Sequence, residues 1–289
     1  MIERTGILYH PHKAEAKALA DEIASWLSAA GVDSVSGPGR DYDEDGPPLA
    51  NEMAGLSLLI VLGGDGSTLR AAHQAAPHGV PIFSINLGRV GFLSEAEPHN
   101  WADRLGRVLA GEWWLEERIM LRARHLRDGM VTADYTILND AIIGRGGYPR
   151  IVRLRLLVDG DYVTTYSADA LIVATPTGST AYAMAAGGPL LWPLLPNFLV
   201  IPVAPHLSLS QAMVLHQTAT VTVTVEPGYE AIFTADGRGP IPVKDGDRVQ
   251  IRKHDQACLF ARIGQSSYFY HRLMERFGYW HPTANPEIQ

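Results

Sequence analysis

The sequence predicts an α/β N-terminal domain, a parallel sheet with flanking helices, followed by a β-rich layered C-terminal domain. Two observations carry that reading. Up to about residue 116, apolar runs with little alternation are joined by stretches of helical period, the pattern of parallel strands covered on both faces. Beyond that point, short runs that alternate apolar and polar residues succeed one another through turn signals. With 289 residues the chain has material for two cores.

Thr5–Tyr9 reads as the first strand, and Lys13–Ala30 as a helix. That helix puts Ala16, Leu19, Ala20, Ile23, Leu27 and Ala30 on one face and stops at Gly31. Leu56–Leu62 and Val80–Asn86 are two further apolar strands, separated by a helix that runs from Ser67 to Ala76. In the second half Arg150–Val158 alternates, and Asp159-Gly160 turns it back into Tyr162–Tyr166 as a hairpin. Leu171–Ala174, Val221–Val225, Ile232–Thr234, Val249–Ile251 and Cys258–Ile263 add strands, and Gln265–Phe277 is helical again. The expected boundaries are 1–116, 117–263 and 264–289. The tail Pro282–Gln289 reads as loose.

Gly63-Gly64-Asp65-Gly66-Ser67 follows an apolar strand directly. Glycines let successive N–H groups close on phosphate oxygens, and the N-terminus of the next helix favours negative charge. A carboxylate in so electropositive a turn suits work on a neighbouring hydroxyl better than holding an anion. Taken alone, the turn fits equally well a tight bend in which Asp65 caps the helix. No Gly-Lys-Ser/Thr occurs, and no G-x-G-x-x-G follows a strand, which excludes a Walker-type loop and an ordinary dinucleotide fingerprint. A second strand-to-turn unit, Ala168–Tyr182, carries four Ser or Thr hydroxyls within a few residues, at Thr175, Thr177, Ser179 and Thr180. Capping would explain these too, but two such units in one chain favour a nucleotide site.

Composition bounds the setting. A net charge of −7 offers no basic face for nucleic acid. Cys258 is the only cysteine, so there is no disulfide framework, and its apolar surroundings make it a core residue. The eleven histidines show no metal-ligand spacing, so no protein-held metal is predicted. No stretch has the length of a membrane span or a signal peptide, and a cytoplasmic location is expected. Asp41–Asp45, among Gly and Pro, reads as a solvated loop or a flap. The tryptophans at 101, 113 and 114 are read as packing.

Gly63-Gly64-Asp65-Gly66, Ile85–Leu93, Leu138-Asn139-Asp140, Thr175–Tyr182 and Asp236-Gly237, in this order and at these separations, resemble the NAD kinase family from about Leu58 to about Gly239. The first turn is shared with diacylglycerol, sphingosine and phosphofructokinase-type kinases; the Thr-Pro-Thr-Gly-Ser-Thr-Ala-Tyr segment paired with Asn-Asp is far more specific. The resemblance implies transfer of a phosphoryl group from ATP to the 2′-hydroxyl of the adenosine ribose of NAD, with Asp65 as catalytic base. It implies NAD binding by Asp65, Gly66, Arg70, Asn139, Asp140, Arg150, Asp169, Thr177, Thr180, Ala181, Tyr182, Ala183, Met184, Ala185 and Arg238. Gly63, Gly64, Gly66 and Ser67 would receive the phosphates of ATP. Mg²⁺ or another divalent cation is expected with ATP, a homodimer or homotetramer as the assembly, and a C-terminal helix that returns to the first domain. Three departures stand out: Asp140 where many relatives have Glu, Ala170 where Gly is usual, and Ser167 where several have a basic residue. A diacylglycerol- or sphingosine-type lipid kinase and a non-catalytic NAD(P)-sensing protein are the alternatives.

Overall fold

The structure, a computed structural model, describes residues 2–39, 49, 51–88, 91–146 and 151–277. Arg150, the acidic cluster Asp41–Asp45 and the tail Pro282–Gln289 lie outside the described residues. The elements in chain order begin with β1 (Arg4–Tyr9), α1 (Ala14–Ala29), β2 (Asp33–Pro38), β3 (Leu58–Gly63), α2 (Asp65–Ala75), β4 (Ile82–Asn86) and α3 (Trp101–Leu109). There follow β5 (Trp114–Arg127), β6 (Met130–Ile137), β7 (Asp140–Arg145), β8 (Val152–Val158), β9 (Asp161–Ala168), β10 (Ala170–Ala174) and α4 (Tyr182–Ala185). The chain continues through β11 (Asn197–Val203), β12 (Met213–His216), β13 (Thr220–Val225), β14 (Ala231–Ala235), β15 (Ile241–Val243), β16 (Arg248–Arg262) and α5 (Tyr268–Arg276). Two compact units result, Met1–Glu117 with Cys258–Gln289, and Arg118–Ala257; the divisions fall inside β5 and β16.

In the first unit β2, β1, β3 and β4 pair in parallel, and the end of β16 joins β4 through Phe260 and Ile82. The apolar face of α1, Leu19, Ala20, Ile23 and Leu27, packs with Trp101 and Leu105 of α3 on Ile7, Ile60, Phe83 and Ile85. Each large side chain so buried contributes about 1.5–3 kcal/mol. Ala30, placed on that face by periodicity, is exposed, because α1 has already ended and Gly31 turns away at φ +77. Ser84 alternates with Phe83 and Ile85, and its hydroxyl bonds Thr68 of α2 at 2.7 Å, so α2 covers the opposite face. The predicted α/β character is present. α5 belongs to this unit too: the Tyr268 hydroxyl donates to Glu116 at 2.8 Å.

In the second unit an antiparallel sheet of six strands runs β12-β11-β10-β7-β14-β15. A second layer pairs β13 with β8 and β16, and β8 with β9. Val152, Leu154 and Leu156 from one layer and Ile143, Val173 and Phe233 from the other share one core. The hairpin between β8 and β9 turns at Asp159 (φ +53) and Gly160 (φ +92), as its residues demanded. Two expected strands, Val249–Ile251 and Cys258–Ile263, prove to be one continuous β16. Cys258 is buried in it.

Candidate active site

The predicted residues divide between the units, Gly63–Arg70 in the first and Asn139–Ala185 with Arg238 in the second. β3 ends at Gly63 and α2 begins at Asp65, two residues earlier than periodicity suggested. The reason is the turn's tightness: a Cβ on Gly63 would lie 2.4 Å from the Ser67 Oγ, so only glycine lets the helix start at once. Gly64 is the N-cap and offers no side chain to the first-turn N–H groups. Those donors and the helix dipole make a ready anion site. Gly64 and Gly66 are exposed, Ser67 half-buried.

The half-buried Asp65 carboxylate is held by backbone. The N–H of Phe92 donates to Oδ2 at 3.0 Å and that of Leu93 to Oδ1 at 3.1 Å. Gly91 permits this approach, since a Cβ there would stand 2.2 Å from the Asp65 Oδ1. Each carboxylate oxygen has a further lone pair for another donor. Arg70, half-buried, lines a shallow cleft with Leu8, Tyr9, His10 and Ser67, at the carboxyl ends of β1 and β3. Open parallel sheets hold ligands at that edge.

In the second unit three turns lock together. Asp236, at φ +50 after β14, accepts the N–H groups of Leu138 (2.7 Å), Asn139 (2.8 Å) and Asp140 (3.0 Å). Its own N–H donates back to the Asp140 carbonyl at 2.9 Å. The Thr175 hydroxyl donates to the Leu138 carbonyl, and the Thr175 N–H to the Asn139 carbonyl at 2.9 Å. Gly178 is obligatory, because a Cβ would come 2.1 Å from the Asn139 oxygen. The Asn-Asp turn is thus shaped from both sides. Asp140 is 6% exposed, and burial together with the nearby Asp236 charge pushes its carboxyl up to about 7.

The hydroxyls of the second turn serve largely inside the protein. Ser179 donates to the Pro176 carbonyl at 2.6 Å and accepts the Leu191 N–H at 3.0 Å. Thr180 donates to the Thr177 carbonyl at 3.0 Å. Thr177 is buried, and its hydroxyl accepts from the buried Arg118 at 3.2 Å. Ala183 is fully buried against Ile172, Leu191 and Ile201, with its side chain turned to the core. Ala181 and Met184 are half-buried, while Tyr182 and Ala185 are exposed.

Asp169 and Tyr182 line one cleft with Gly144, Arg145 and Ala170. There Arg145 pairs with Asp169 at 3.3 Å, a partner that sequence reasoning missed. Ala170 replaces glycine at little cost because its neighbour Gly144 has no Cβ; one would clash with the Ala170 methyl at 2.7 Å. The Arg238 guanidinium lies over the Tyr135 ring, 5.2 Å from its centroid. Among the described residues no group of three His, Cys, Asp or Glu side chains is placed to hold a metal ion, and no helix is long and apolar enough to cross a membrane.

Two family models match the chain: the ATP-NAD kinase N-terminal domain over residues 5–113 and the ATP-NAD kinase C-terminal domain over residues 138–263. An NAD kinase of Chloroflexus aggregans is 38% identical over 276 residues, covering 96% of this chain and 99% of the relative. One from Heliobacterium modesticaldum is 39% identical over 268 residues, covering 91% and 95%. Among solved structures, yeast NADH kinase complexed with NADH superposes with a TM-score of 0.83 at 21% identity, over 100% of this chain and 90% of the other. An NAD kinase from Archaeoglobus fulgidus in complex with ATP gives 0.76 at 25% identity, over 94% and 99%. The Gly-Gly-Asp-Gly turn falls within the first of these family matches and the Asn-Asp turn within the second, and the chain belongs to the NAD kinase family.

Proposed function

We propose that this protein transfers the terminal phosphoryl group of ATP to the 2′-hydroxyl of the adenosine ribose of NAD, giving NADP. The observation that carries this reading is the carriage of Asp65: a carboxylate at the start of α2, with both oxygens aimed by backbone N–H groups. Phosphoryl transfer asks a protein chiefly for alignment and charge neutralisation. Asp65 takes the proton of the ribose hydroxyl as the new P–O bond forms, and such help is worth about 10²–10⁴ in rate.

Gly63, Gly64, Gly66 and Ser67 present N–H groups to the phosphates, with Arg70 as their cationic partner. Asn139 and Asp140 take the adenosine ribose, Asp140 accepting from its hydroxyls. Asp169, Thr177, Thr180–Ala185, Arg238 and Arg150 complete the dinucleotide site. For Thr177 and Ala183, whose side chains are engaged internally, the contribution is through the backbone and the shape of the turn. Mg²⁺ enters bound to ATP as part of the substrate. A homodimer or homotetramer in the cytoplasm is the setting proposed, to be checked by light scattering and fractionation.

An assay of NADP formation from NAD and ATP tests the reading. Wild type forms NADP and Asp65→Asn forms it about 10²–10⁴ times more slowly, while both bind NAD. A protein that binds NAD and forms no NADP with any triphosphate would be the sensing module instead, and phosphorylation of a diacylglycerol or sphingosine base would make it a lipid kinase.

A further inference from the structure

Leu93 is gripped from both ends. Its N–H donates to Asp65, and its carbonyl accepts from Nη1 of Arg262 at 3.1 Å; the same nitrogen reaches the Ser94 carbonyl at 3.3 Å. Arg262 is 1% exposed, at the very end of β16. Its Nε donates to Glu116 at 2.6 Å, Nη1 also meets Glu95 at 3.3 Å, and its guanidinium lies 4.9 Å from the Phe260 ring centroid and 4.8 Å from that of Tyr268. The two carboxylates are fixed in turn. Glu95 accepts the Ile263 N–H at 3.1 Å and Arg104 at 2.9 Å, and Glu116 accepts the Tyr268 hydroxyl at 2.8 Å. α5 touches the same loop again through Arg276, which stands 5.1 Å from the Phe92 ring centroid.

We propose that Arg262 is a positioning residue for phosphoryl transfer: braced by Glu116, Glu95 and Tyr268, it fixes the Phe92–Ser94 backbone so that two N–H groups aim the Asp65 carboxylate at its hydroxyl. The inference rests on Asp65 being the catalytic base. A buried ion cluster is a poor device for stability, since burying its charges costs about what their pairing returns. It is a good device for geometry. Through Nε and Nη1 one planar group reaches two carbonyls and two carboxylates, which an ammonium on a flexible stem does not, while Nη2 is buried without a hydrogen-bond partner among the described residues. A displacement of about 1 Å in a reacting group costs about 10²-fold in rate, so a brace acting only through Asp65 moves kcat and leaves substrate binding alone.

The test is a mutant cycle in the full chain, reading kcat and KM for NAD and ATP, with near-ultraviolet circular dichroism to check folding. Tyr268→Phe removes one outer hydrogen bond and lowers kcat about three- to tenfold, with both KM values within twofold of wild type. Arg262→Lys lowers kcat about 10²-fold with the same KM pattern. In an Asp65→Asn background, where there is no base left to aim, neither change lowers the residual turnover by more than about twofold. Equal losses in both backgrounds, or a rise in KM at constant kcat, would overturn the brace while leaving the base in place. If Arg262→Lys does not fold, Tyr268→Phe and its double with Asp65→Asn decide alone. Wild-type turnover in Asp65→Asn itself would remove the base and this proposal together.

Discussion

The two turns use one device for opposite ends. In the first unit an aspartate, Asp65, accepts successive backbone N–H groups and is itself the reacting group proposed. In the second, Asp236 accepts three successive N–H groups, which fix a turn that presents a different carboxylate, Asp140. Asp65 is half-buried, open to a donor from outside; Asp236 is 5% exposed and spent within the protein. The contrast teaches that an acidic residue among glycines is read by what its oxygens face. Backbone N–H groups aim a carboxylate in either case, and exposure decides whether it then does chemistry or architecture.

The sharpest way to break the comparison is to unseat each carboxylate through a glycine. Gly91→Ala drives a methyl toward Asp65; kcat should fall at least about tenfold with NAD affinity kept, because displacing an aligned group costs rate before binding. An unchanged kcat would show that the Phe92 and Leu93 donors do not set the geometry. Gly178→Ala strikes the Asn139 carbonyl. It should weaken NAD binding about tenfold or more, measured by calorimetry, and cost about 1–3 kcal/mol of stability through overpacking.

Removing the architectural carboxylate should cost stability first. Asp236→Ala leaves three N–H donors without their acceptor, and at about 1–3 kcal/mol for an unsatisfied buried group the variant should unfold at markedly lower urea. A variant as stable as wild type would mean water replaces the carboxylate freely.

Asp140 sharpens the contrast at smaller scale. Its folded carboxyl titrates at about 7, above the 3.8 of a free group, so between those values the folded state holds a proton that the unfolded chain has released. Stability is therefore lost as pH rises through that window. Asp140→Asn removes the loss and should raise the melting point at pH 8 relative to pH 4.5, worth about 1–4 kcal/mol, while weakening NAD binding. The ionised form is the better acceptor for ribose hydroxyls, so KM for NAD should fall in wild type as pH rises through about 7. A pH-independent KM would argue against that role.

Local pattern made much of this legible. β1, β3 and β4 announced themselves as apolar runs, α1 by its stripe, and the β8–β9 hairpin by Asp-Gly. β2 did not, because Asp33–Pro38 is a polar edge strand with only Gly37 buried. β5 hid its alternation by burying Glu116, Arg118 and His125 beside Met120 and Ala123, so the inward positions did not look apolar. In the sequence β16 reads as two strands because Lys253–Gln256 interrupts its apolar period. The site divides the same way. Asp65 and Asn139-Asp140 stand out in their glycine- and hydroxyl-rich settings. Their supports do not, because each lies far along the chain: Phe92 and Leu93 from Asp65 by 27 and 28 residues, Asp236 from Leu138 by 98. Arg262, in an apolar run, gave no local sign that it would be fully desolvated. Tertiary pairing assigns these roles, and no spacing rule within one strand or helix reveals them.

The division of labour between the two carboxylates is tested most directly by measuring kcat and the NAD dissociation constant side by side for Asp65→Asn and Asp140→Asn. Asp65→Asn should lose about 10²–10⁴ in kcat with NAD binding within about threefold of wild type, and Asp140→Asn should weaken binding about tenfold with kcat at saturation nearly kept. Asp65→Asn turning over at the wild-type rate, or losing NAD binding in proportion to its activity, would contradict the account.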